Sequence, residues 1–103
     1  MMAETPTTVR DAREAERERG RRAVDVLDRR LDGQHTPRMP QWACDTCTQD
    51  WPCAPAQVRL SEAYGRDRIG LAMYMGAVYA AAVNDLPVTT TGETWARFVS
   101  WVR

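Results

Sequence analysis

The three cysteines of the chain and its single histidine all fall between positions 35 and 53, as His35, Cys44, Cys47 and Cys53. Thiolates and a neutral imidazole are the donors a tetrahedral zinc ion takes. Cys-x2-Cys is a spacing that lets two thiolates reach one metal while backbone N–H groups turn toward the sulfurs. Cys44 and Cys47 supply that knuckle, Cys53 is close enough to close a compact loop, and His35 lies upstream across a Pro-bearing turn. If all four bind, the site is coordinatively full, so its expected role is structural rather than catalytic. An odd number of cysteines also fits metal ligation better than a disulfide framework.

Other chemistries use the same residue types. A thioredoxin-like Cys-x-x-Cys needs a strand before it and a helix opening at its first cysteine, and it leaves Cys53 unexplained. A nucleophilic cysteine with His35 as base leaves two idle thiols and no third group to orient the base. No enzymatic function is therefore expected. An iron–sulfur cluster is the alternative cofactor to zinc, since it too is held by cysteine thiolates. Trp42 and Trp51 each precede a cysteine by two residues. They could stack on nucleic-acid bases, but the expectation is that they cover the loop and shield its sulfurs.

These residues need elements to hold them, and 103 residues suffice for one domain. Fourteen basic residues, all arginine, balance fourteen acidic ones, so no general polyanion-binding surface is expected. The first residues have neither the apolar core nor the cationic lead of a secretory signal. No apolar run reaches the roughly 18 residues that span a bilayer. A cytoplasmic location is expected, where thiols stay reduced.

In chain order, residues 1–7 read as a disordered tail. A charged N-terminal helix covers residues 8–33, capped by Thr7 or Thr8 and stopped at Gly33. Its first half is nearly all charge, with Arg10/Glu14, Glu14/Arg17 and Glu18/Arg22 at ion-pair spacing. Gly20 is read as merely tolerated, and Val24, Leu27 and Leu31 form the stripe to be buried. Residues 34–56 hold four of the six prolines and no periodicity. This metal loop cannot order itself.

The helical body, 57–103, opens with a short helix from Gln57 to Tyr64. A core helix follows from Arg68 to Asp85, capped by Asp67, with Leu71, Met75, Val78 and Ala82 at helical spacing. Ile69, Ala72, Tyr79, Val83 and Leu86 widen its apolar face. A capping box of Thr90 and Glu93 starts a last helix that runs to about Val102 and buries Trp95, Phe98, Val99 and Val102. No segment alternates with period two, so the expected fold is all-α, about four helices with a metal-stapled irregular loop between the first helix and the body.

Two resemblances add to this. The run Cys44-x2-Cys47-x5-Cys53 resembles the last three cluster cysteines of the WhiB-like regulators. The chain lacks their fourth upstream cysteine, their Gly-Val-Trp-Gly-Gly turn and their basic C-terminal tail. Over roughly residues 35–103 the chain is also similar to a set of small actinomycete zinc-knuckle proteins. That similarity is carried by Cys44-Asp-Thr-Cys47, Trp51-Pro52-Cys53, Asp67-Arg68 leading into Leu71-Ala72-Met73-Tyr74-Met75, Asp85-Leu86-Pro87 and Arg97-Phe98-Val99-Ser100-Trp101-Val102-Arg103. It implies a compact zinc-type site and a helical body, with no established activity. The expected function is that of a non-enzymatic zinc-binding adaptor or regulatory protein acting on another, unidentified protein. The alternatives are a nucleic-acid-binding transcriptional regulator and an iron–sulfur redox sensor.

Overall fold

The computed structural model describes residues 9–87 and 91–103. The tail and the caps assigned to Thr7, Thr8 and Thr90 lie outside them. Helix α1 spans Val9–Asp25 and α2 is a single turn, Leu27–Arg30. The pair β1, Pro37–Arg38, and β2, Ala43–Cys44, is antiparallel, with Pro37 opposite Cys44. Helices α3, Ala54–Tyr64, α4, Arg68–Val83, and α5, Thr91–Phe98, complete the described chain. The fold is all-α apart from that short ribbon, and the His/Cys-rich loop follows the first helical segment as the sequence implies.

Helix α4 is the hub. Asp67 caps it, accepting from the Gly70 N–H at 2.8 Å. Its stripe of Leu71, Met75, Val78 and Ala82 is fully buried, as its spacing predicts. Three other helices pack on it: α1 most extensively, then α5 and α3. Ile69 and Val83 depart from expectation, because among the described residues no element lies over them and both are exposed.

The first helix differs in two ways from the sequence reading. It breaks at Val26, so that Leu27 and Leu31 are carried by the separate turn α2 and the residue after it. Its buried positions are Gly20 and Ala23, while Val24 is only half-buried. Gly20 is needed, not tolerated: a Cβ there would lie 2.9 Å from Ala81 Cβ and 3.1 Å from the Ala77 carbonyl oxygen. The two helices meet almost backbone to backbone, so a helix with hardly any apolar residues can still pack tightly. Tyr74 Oη donates to the Ala23 carbonyl at 2.5 Å, satisfying one acceptor that the helix end leaves free. Of the expected ion pairs Glu18–Arg22 forms at 3.4 Å, and Glu18 also meets Arg21 at 2.9 Å. All three residues are well exposed, so each pair adds little.

Helix α3 begins at Ala54, three residues earlier than expected. Pro55 sits in its first turn, where a missing N–H costs nothing, and so starts the helix rather than forbidding it. Gly65, at φ +57°, ends it. Arg30 lies 4.9 and 5.1 Å from the rings of Tyr64 and Tyr74, joining α2 to α3 and α4. Asp32 and Arg59 form an ion pair between the end of α2 and α3. Helix α5 ends at Phe98, after which Val99 is still buried, Val102 is half-buried, and Trp101 Nε1 donates to the Phe98 carbonyl at 2.9 Å. Trp95 keeps about half its surface exposed and stands edge-on to Tyr79 at 5.4 Å.

Replacing Gly20 by Val forces the α1–α4 contact apart. Thermal or urea unfolding of Gly20→Val should show a loss of about 1–3 kcal/mol.

Candidate metal centre

Cys44 ends β2, and β2 pairs with β1 just after His35, so the ribbon brings the histidine back against the knuckle. The turn after Cys44 aims backbone at sulfur: the N–H groups of Thr46 and Cys47 lie 3.4 and 3.5 Å from Cys44 Sγ. Cys53 is the residue immediately before α3 and caps it with extended backbone. His35 Nδ1 lies 3.3 Å from Cys44 Sγ and 3.5 Å from Cys53 Sγ. One donor atom from each of His35, Cys44, Cys47 and Cys53 lies within 4.8 Å of the others, and this set could hold a metal ion. The three thiols are free, with Cys44 and Cys53 buried and Cys47 half-buried.

His35 is fixed at both ends of its own backbone. Its N–H donates to Thr46 Oγ1 at 2.9 Å, and its carbonyl accepts from Trp51 Nε1 at 2.8 Å. Its φ of +56° is in the left-handed region, which a non-glycine residue enters at a cost of roughly 1–2 kcal/mol. Asp45 ties the same corner together, accepting from the Thr36 hydroxyl at 2.8 Å, the Thr36 N–H at 3.1 Å and the Thr46 hydroxyl at 2.9 Å. The Thr36 hydroxyl above all holds that carboxyl below its usual range.

The thiols differ in their electrostatics. Burial alone would raise Cys44, but the N–H groups of Cys47 and Thr46 outweigh it and bring the thiol down to about 7. Burial pushes Cys53 up to about 12, against the pull of the Ala56 N–H in the first turn of α3, and the neighbouring thiols Cys44 and Cys47 add to the rise. Cys44 is thus readier to ligate at neutral pH than Cys53, whose proton a metal must displace.

Both loop tryptophans are inside. Trp42 is 1% exposed and Trp51 0%, and with Phe98 they form a triangle of rings with centroids 5.4–6.0 Å apart. They cover the loop, as expected, and present no face on which a base could stack. Trp42 Nε1 donates to Asp85 Oδ2 at 2.8 Å, reaching the turn after α4.

Arg97 plays a part that its position in the sequence does not reveal. From α5 its Nε donates to the Trp51 carbonyl at 2.7 Å and its Nη2 to the Trp42 carbonyl at 2.6 Å. Burial draws the guanidinium below its ordinary value, and Asp50 partly restores it. No spacing or periodicity in the sequence marks Arg97 or Asp85 for these contacts. Fold and site together define a small helical domain with a His/Cys loop able to bind a metal ion. Comparison with known protein families, with curated proteins and with solved structures finds no match.

Arg97→Met keeps the length of the side chain but leaves the Trp51 carbonyl without its donor, while the Trp42 carbonyl keeps the Trp51 N–H at 2.9 Å. At about 1–3 kcal/mol for the unsatisfied carbonyl, the variant should melt earlier and release metal to a chelator faster than the native chain.

Proposed function

We propose that the protein is a zinc-stapled helical adaptor. One zinc ion is held by His35, Cys44, Cys47 and Cys53 in a structural role, and the helical body works by binding another protein in the cytoplasm. The observation that carries this reading is the convergence of four soft-to-intermediate donors within 4.8 Å. With Zn–S near 2.3 Å and Zn–N near 2.0 Å, a regular tetrahedron sets its nitrogen-to-sulfur edge at roughly 3.5 Å. The two such edges here are 3.3 and 3.5 Å. In a 4Fe–4S cluster each terminal ligand sits on a different iron and so stands farther from the others, and these distances favour a single ion.

Four protein donors leave no open position for a reacting water, which supports a structural and non-enzymatic centre. When bound, zinc supplies a cross-link between the ribbon, the loop and the start of α3. Among the described residues no helix is long and apolar enough to cross a membrane. The adaptor part of the reading rests on apolar side chains left outside the core, with Ile69 75% and Met73 71% exposed on α4.

Elemental analysis of natively purified protein should give one zinc per chain. His35→Ala should weaken metal binding at least ~10-fold. Removal of zinc by a chelator should lower Tm by more than ~10 °C, because binding energy at such a site is folding energy. Affinity should fall as pH falls, since protons compete for the three thiolates and the imidazole. A protein that carries iron and sulfide, or one whose Tm ignores the chelator, would refute the zinc staple.

A further inference from the structure

Helix α4 has 16 residues, and its only charge is Arg68 at the N-terminal end. A helix apolar on every side is expected to be covered on every side. Core residues cover Leu71, Met75, Val78 and Ala82, α1 covers the side of Ala77 and Ala81, and Trp95 stands against Tyr79. What the described residues leave is Ile69, Met73, Gly76, Ala80 and Val83, which are i, i+4, i+7, i+11 and i+14 and therefore lie on one face. Ile69 is 75% exposed, Met73 71% and Val83 41%. A Cβ built on Gly76 meets nothing within 4 Å.

We propose that this face seats a second copy of the same chain, with the two α4 helices antiparallel about a two-fold axis near Gly76. The proposal deepens the adaptor reading and rests on its premise that the helical body acts through protein contact. Three observations select the second copy as occupant. The face is self-complementary about Gly76: Ile69 and Val83 stand seven residues to either side, and Met73 and Ala80 three and four. An antiparallel pairing thus sets large beside large at the ends, Met beside Ala inside them, and the two glycines at the crossing, as an isologous contact requires.

The electrostatics of the helix ends also allow it. The antiparallel arrangement brings opposite helix-dipole ends together, with Arg66 exposed beside the N-terminal end, while Arg68 is turned onto the Ser61 carbonyl and Asp85 onto Trp42. Asp67, the acid at the N-terminal end, is turned onto the Gly70 N–H. The formal net charge is zero, so no overall repulsion opposes a second copy.

The area suits a reversible dimer. Ile69, Met73, Val83 and the bordering Trp95 expose on the order of 500 Å² per copy, or about 1,000 Å² for the pair, which is the low end of specific interfaces. A dissociation constant in the micromolar range is the corresponding expectation.

Sedimentation equilibrium of the full, zinc-loaded chain from about 1 μM to several hundred μM tests this. A concentration-dependent monomer–dimer equilibrium is expected. Met73→Glu should weaken it at least ~10-fold. Val58→Glu should leave it unchanged, because Val58 is a comparably exposed residue on α3, which packs on α4 by its Tyr74 side, opposite this face. Should Met73→Glu fail to fold by circular dichroism and zinc content, Ile69→Glu decides the matter in its place.

A native chain that stays monomeric throughout overturns the proposal, as does a folded face variant that dimerises like the native chain. Affinity capture from cytosol separates that failure from failure of the adaptor reading. A monomer that captures a protein through Met73 has a foreign occupant on α4, so the second copy falls and the adaptor stands. A monomer that captures nothing removes both.

Discussion

The loop from His35 to Cys53 must bring four donors to one point with a backbone whose regular structure is only the short ribbon of β1 and β2. It turns through left-handed conformations at His35, Trp42 and Thr48, each of which costs a non-glycine residue roughly 1–2 kcal/mol. Such backbone persists only when its surroundings over-determine it. Here they do so through side chains: Thr46 and Trp51 fix the two ends of His35, Asp45 gathers Thr36 and Thr46, and Arg97 holds the carbonyls of both tryptophans. The thiol and imidazole donors therefore lie together because hydrogen bonds from the loop and from α5 position them.

This arrangement reverses the direction in which order flows through the molecule. A Pro-rich loop without periodicity looks as though it depends wholly on a metal for its order. The buried rings of Trp42 and Trp51 with Phe98 show that the loop is also a piece of the hydrophobic core, packed under α5. Core packing and the donor cluster thus support each other. Asp85 on Trp42 and Arg97 on both tryptophans carry that coupling to the turn after α4 and to α5, far away in sequence. Loosening the loop would unpack Phe98, and loosening α5 would unseat the loop.

The parts of the fold written in local spacing were legible from sequence. Leu71, Met75, Val78 and Ala82 recur at 3.6-residue intervals and are all buried, and Asp67 caps their helix as its position suggests. The four candidate donors could be named because few residue types bind metals softly and these are the chain's only cysteines and histidine. What could not be read depends on partners distant in the chain. Gly20 looks like a weak spot in a charged helix until Ala77 and Ala81 are placed against it. Pro55 looks like a breaker until the helix is seen to start one residue before it. Arg97 looks like a surface charge until its two carbonyl acceptors appear.

Two kinds of residue thus do the work that a larger hydrophobic core would do in a bigger domain. Small residues, Gly20 against Ala77 and Ala81, let α1 pack on α4 although most of its length is charged and exposed. Polar residues, Arg97 on the carbonyls of the buried tryptophans and the Asp45 cluster at the surface, hold a loop whose regular structure is only a two-residue ribbon. Economy of this kind has a consequence for α4. Only part of its circumference is needed to organise the chain, yet its sequence is apolar on all sides, and composition that the interior does not require is a demand placed on the exterior.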